Sequence, residues 1–112
     1  TMDILIQAHH PEAIAMRDIT NSRVRFATQR LSRFVSRVVV RFTDLNGPRG
    51  GVDKQCQIQL NTANGTVLVV SSRGAEWRDT LEASISRISR LLLRRLNAQK
   101  NRFAGKLPAR LF

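Results

Sequence analysis

The hydrophobic period of the chain changes three times, and turn signals divide the rest into elements. In "DILIQAH", residues 3–9, Ile4, Ile6 and Ala8 share one side and Leu5 and Gln7 the other, which predicts a strand ended by Pro11. "TNSRVRFATQRLSRFVSR" then has helical period, with Val24, Ala27, Leu31, Phe34 and Val35 on one side and Asp18, Thr20 or Asn21 as N-cap. "RVVVRFTDL" returns to period two, with Val38, Val40 and Phe42 on one face. "KQCQIQLNT" alternates most cleanly: Cys56, Ile58 and Leu60 oppose Gln55, Gln57, Gln59 and Asn61. Asn64-Gly65 is a hairpin signal, and "TVLVVSS" is the fourth strand. Past Gly74 a second helix starts near Ala75 or Glu76, with the apolar stripe Trp77, Leu81, Ile85, Ile88, Leu92 and Leu96.

Only one face of the predicted sheet is apolar, so both helices must cover that face. A right-handed crossover through the first helix joins the first two strands, and hairpins join the rest. The predicted fold is an α+β two-layer sandwich of order β-α-β-β-β-α, resembling a double-stranded-RNA-binding domain in layout. One domain is expected over residues 1–100, with a basic, flexible tail over 101–112.

Charge changes the picture most. Nineteen Lys and Arg face eight Asp and Glu, giving a net charge of +11, and all but Lys54, Lys100 and Lys106 of the basic residues are arginine. Such a domain attracts polyanions, and the planar guanidinium fork matches phosphate. The placement sharpens this. Arg87, Arg90 and Arg94 lie opposite the stripe of the second helix. Arg30, Arg33 and Arg37 repeat the same i, i+3, i+7 spacing on the first, if that helix extends so far. Each ridge spans about 10 Å, and neither has an acid at i±4. Two uncompensated ridges on neighbouring helices favour RNA phosphate over a merely solvated face. Arg23 joins this set of expected RNA contacts. Phe26, among the same basic residues, could stack on an exposed base; the preferred expectation is that it tucks into the groove between the helices.

The connection "NGPRGGVDK" packs three glycines between two strands. Gly47-Pro48-Arg49-Gly50 spells G-x-x-G, but the nucleic-acid clamp of that form joins helices. Gly51 is followed by Val52 and Asp53, which does not complete a P-loop. The reading is a long hairpin connection in which Gly47, Gly50 or Gly51 supplies positive φ and Arg49 and Lys54 reach phosphate.

Other chemistries find no support. His9, His10 and Cys56 form no recognisable zinc motif, and the serines and acids form no catalytic constellation. No enzyme activity, metal, cofactor or small-molecule substrate is expected. A lone Cys56 suits a reducing cytoplasm. No apolar run reaches the ~20 residues of a membrane span, and "TMDILIQAHH" lacks the basic start and apolar core of a signal peptide.

The stretch "LSRFVSRVVVRFTDLNGPRGGVDKQCQIQL" resembles the ribosome hibernation-promoting factors, the family that includes ribosome-associated inhibitor A. Those proteins end their first helix with a similar "SRF" and carry "V.V...D.NGPRGGVDK.C.I" across two strands. The resemblance runs over residues 3–100, with Arg78 standing where many members have Tyr. It implies a short form, without the C-terminal dimerisation domain of long members. It also implies binding to rRNA of the small ribosomal subunit, in the channel of mRNA and tRNA, and stabilisation of inactive ribosomes under stress. Two other readings stay open: a general double-stranded RNA-binding module, and a regulatory protein-interaction domain using the glutamine-rich sheet face or the tail.

Overall fold

A computed structural model describes residues 2–45 and 53–105. Its elements run β1 (Asp3–Gln7), α1 (Pro11–Ile14), α2 (Arg17–Thr28), a 3-10 helix (Gln29–Phe34), β2 (Val35–Asp44), β3 (Lys54–Thr62), β4 (Val67–Gly74) and α3 (Trp77–Gly105). The four strands form one sheet in the order β1-β2-β3-β4. β1 pairs parallel with β2, Ile4 opposite Val38, and the remaining pairs are antiparallel. The expected α+β sandwich is therefore the observed one.

The period-two faces decide which side is buried. Val38, Val40 and Phe42 of β2, Cys56, Ile58 and Leu60 of β3, and Leu68 and Val70 of β4 lie under the helices. Their neighbours in the opposite phase remain on the open face. Trp77, Leu81, Ile85, Ile88 and Leu92 of α3 close the core from above, with Val24 of α2. Ile58, Leu60, Leu81 and Leu92 are almost wholly buried, each stabilising by roughly 1.5–3 kcal/mol. Ile4, Ile6 and Leu31, expected in the core, are partly buried and pack against it. Two polar residues inside α3's buried face are hydrogen-bonded. Thr80 Oγ1 donates to Glu76 O at 2.6 Å, and Ser84 Oγ donates to Cys56 O at 2.8 Å, which ties α3 to β3.

The first helical segment departs from expectation. It begins at Arg17, so Asp18, Thr20 and Asn21 lie inside α2 and none is its N-cap. A separate turn, α1, precedes it, with His10 as N-cap accepting from the Glu12 amide at 3.2 Å. The α-helix ends at Thr28, whose hydroxyl donates back to Val24 O at 2.8 Å. Such back-bonding competes with regular helix. The chain then tightens into the 3-10 helix. Leu31 and Phe34 are three residues apart, a spacing common to both helix types, so the sequence period could not separate them. Val35, expected on the helix, opens β2.

The Asn64-Gly65 hairpin forms as expected, with Gly65 at φ 94°. The expectations for Gly47, Gly50 and Gly51 lie outside the described residues.

Candidate nucleic-acid interface

The contacts between α2 and α3 set the geometry of the charged surface. At one end, Arg23 Nε donates to Glu82 Oε1 at 2.7 Å and its Nη2 donates to Oε2 at 3.0 Å. Further along, Phe26 and Ala27 share a groove with Ile85, Ser89 and Arg90. Beyond them Phe34 shares another with Leu92, Arg95 and Leu96. The two helical segments thus run in the same direction. This alignment sorts the charge. Glu76, Asp79 and Glu82 stand at the start of α3, where the helix dipole favours anions. Arg30, Arg33, Arg90, Arg94 and Arg95 stand towards the other end, all exposed. Among the described residues, none of these five pairs with a carboxylate.

The expected contact residues do not all fall on one surface. Arg90 and Arg94 lie on the exposed side of α3, as the helical spacing predicts. Arg87, the third of that ridge, lines one groove with Arg90, Arg94 and Val69 of β4, and also reaches the strand itself. Its Nη1 donates to Ser71 O on the edge strand β4, and to Ser72 Oγ at 3.4 Å. Its fork therefore has a structural task as well as an exposed position.

Arg30 and Arg33 lie on the 3-10 helix, where residues three apart still align. The Arg33 guanidinium sits 5.1 Å from the centre of the Phe34 ring. Arg37 corrects the expected second ridge. It lies in β2, opposite Asp3 and Asn61, and projects from the open face of the sheet. The physical reason is the turn from helix to strand at Val35, with a register shift between Val35 and Arg37 that puts Val38 in the core. The first-segment triplet is therefore split between the two layers.

Arg23 and Lys54 are engaged elsewhere. Glu82 accepts from Nε and Nη2 of Arg23 and also from Arg78 Nε at 3.3 Å. Hydrogen bonding by Arg23, reinforced by its charge, holds the Glu82 carboxyl below the ordinary carboxylate range, against the opposing effect of desolvation. Lys54 is not presented to solvent. Its side chain is 13% exposed, and its Nζ lies 3.5 Å from Asp53 Oδ1 and 4.0 Å from Asp44 Oδ2. It also lies 5.3 Å from the centre of the Trp77 ring, which is in edge contact with Phe42. This arrangement neutralises buried acids at the base of the connection. Arg49 lies outside the described residues.

The structure adds Arg95, Arg25 and Phe26 to the surface. Arg95 was legible only as half of the Arg94-Arg95 pair, and its relation to Phe34 needed the tertiary fold. Phe26 corrects the expectation of a tucked ring: it is 63% exposed. Thr20, Val24 and Thr28 are the buried positions of α2, with Ala27 partly buried beside them, which turns Phe26 outward.

Other chemistry has little to work with. Among the described residues no group of three metal-ligating side chains occurs, and no helix is long and apolar enough to cross a membrane. Cys56 is buried, and desolvation pushes its thiol up to about 12 despite the lowering contact from Ser84.

No protein-family model and no curated protein sequence matches this chain. Solved structures do. The N-terminal domain of Protein Y from Thermus thermophilus superposes with a TM-score of 0.62 at 16% identity, covering 81% of this chain and 93% of that one. A ribosomal subunit interface protein from Coxiella burnetii gives 0.59 at 13% identity, covering 86% and 99%. At such identities the likeness is one of backbone architecture: the chain has the fold of the Protein Y N-terminal domain and of a ribosomal subunit interface protein.

Proposed function

We propose that this protein is a ribosome hibernation factor. It binds rRNA of the small ribosomal subunit in the mRNA and tRNA channel and stabilises inactive ribosomes under stress, as a cytoplasmic, non-enzymatic factor. The observation that carries the reading is the set of exposed arginines that, among the described residues, have no carboxylate partner: Arg30 and Arg33 on the 3-10 helix, and Arg90, Arg94 and Arg95 on α3. It stands on a fold shared with a protein described as a ribosomal subunit interface protein, and the "NGPRGGVDK" block resembles the same group. Phosphate contacts position such a protein on RNA, and exposed guanidiniums without carboxylate partners are suited to them. The parallel β1–β2 pairing weighs against the double-stranded RNA-binding module, whose α-β-β-β-α order has no such first strand.

The test is capture of ribosomal subunits from lysate, with and without ribonuclease. The variant changes Arg90, Arg94 and Arg95 together to Glu. Arg87 is left intact because its contact with β4 would confuse lost binding with lost structure. We expect the unaltered protein to retain small subunits, ribonuclease to release it, and the variant to lose binding while its thermal melt is unchanged. Retention of subunits by the variant at unchanged affinity would remove the arginine cluster from the interface. Capture of a protein partner that survives ribonuclease would favour the protein-interaction reading instead.

A further inference from the structure

We propose that Phe26 is a stacking platform for an unpaired RNA base; this rests on the nucleic-acid reading above and adds a class of contact to it. At 63%, Phe26 is the most exposed of the large hydrophobic residues described. Folding gains little from a ring so placed. Its surroundings are polar and cationic. The Arg23 guanidinium lies 5.7 Å from the ring centre and is held there by its two bonds to Glu82. Arg25, the preceding residue, is held by Asn21 at 2.7 Å.

Phe26 also divides two shallow grooves. One, between α2 and α3, has Arg90 on its far wall. The other is bordered by Ser22, Arg25 and Gln29. A base laid on the ring would therefore have guanidiniums on either side for its flanking phosphates.

This chemistry selects the partner. An apolar protein surface covering Phe26 would have to desolvate Arg23, Arg25 and Arg90 together, whereas a nucleotide brings an aromatic plane and an anion at once. A duplex keeps its base faces stacked, so the ligand is a single-stranded segment, loop or bulge.

Two labelled single-stranded RNAs of roughly ten nucleotides, one with bases and one abasic at its central positions, distinguish stacking from phosphate contact. Phe26→Ala should weaken binding of the first by between about 5-fold and 150-fold. It should leave the salt dependence and the abasic affinity unchanged, and Phe26→Trp should restore binding. In that variant the new indole should be quenched by RNA, while the buried Trp77 contributes a constant background that the unaltered protein measures. Equal affinity of Phe26→Ala and the unaltered protein for the first RNA would overturn the proposal, as would equal losses on both RNAs. If the Arg90, Arg94 and Arg95 variant loses binding while Phe26→Ala does not, stacking alone fails. If the unaltered protein binds neither RNA nor subunits, the nucleic-acid reading fails with it.

Discussion

Glu82 is one side chain that ties the helical layer together. It joins α3 to α2 through Arg23 and to its own preceding turn through Arg78. Because the Arg23 contact lowers the carboxyl's pKa in the folded protein, its stabilisation is present above the ordinary Glu value of 4.5 and is lost as pH falls through the lower folded value. The unaltered protein should therefore lose melting temperature on acidification more steeply than Glu82→Gln, with the two curves converging at the acid end. Superimposable acid curves would mean that the pair, which is part-exposed, contributes nothing measurable. The carboxyl's neighbours could not be read from the sequence beyond Arg78 at i−4. Arg23 lies 59 residues away, and no local rule connects the two.

At the scale of elements, two glycines have different tasks. Gly65 adopts φ 94° with open space around a would-be Cβ, so its requirement is conformational. Gly74 ends β4, and a Cβ there would come within 2.8 Å of Thr80 Oγ1, so its requirement is close approach. Thr80 is buried and bonded to Glu76 O, and it cannot move aside freely. Gly65→Ala and Gly74→Ala should each destabilise by about 1 kcal/mol. Only the second should be relieved by adding Thr80→Ala, which removes the hydroxyl it meets. Denaturant melts of the three singles and the two doubles decide this; relief of Gly65→Ala by Thr80→Ala would contradict it. The hairpin glycine was legible in the sequence because Asn-Gly carries its own turn chemistry. For Gly74 the sequence showed only that a pattern broke, because the closeness of α3 to β4 is a tertiary property. The same limit applied to the first helical segment, where Thr28 and Val35 decided an ending that periodicity ran through.

For the whole molecule, the decisive quantity is how charge is distributed over two layers. A net charge of +11 predicts attraction to any polyanion. Arg37 on the open face and Lys54 beside Asp53 do not add to the helical cluster. With Arg30, Arg33, Arg90, Arg94 and Arg95 each meeting one phosphate, affinity for single-stranded RNA should fall with salt at a log–log slope of about −3.5, and nearer −4.5 on duplex. Arg37→Ala should leave that slope unchanged, whereas Arg94→Ala should reduce it by roughly 0.7–0.9. A slope that responds equally to Arg37 and Arg94 would place RNA on both faces of the sheet.

The sequence by itself determined the layers. Period two in the strands and a 3.6-residue stripe in α3 require one buried sheet face and a helix upon it, whatever the loops do. It also determined that Arg90 and Arg94 stand clear of that stripe, because a helix's two sides follow from spacing alone. Only the tertiary structure decided which arginines remain available. Arg23 faces Glu82, Arg87 meets the edge of β4, and Lys54 sits between Asp44 and Asp53, all through contacts between elements. The exposure of Phe26 belongs with these. Whether an aromatic residue fills an interhelical groove depends on the distance and direction of the second helix, and no local pattern in the chain specifies either.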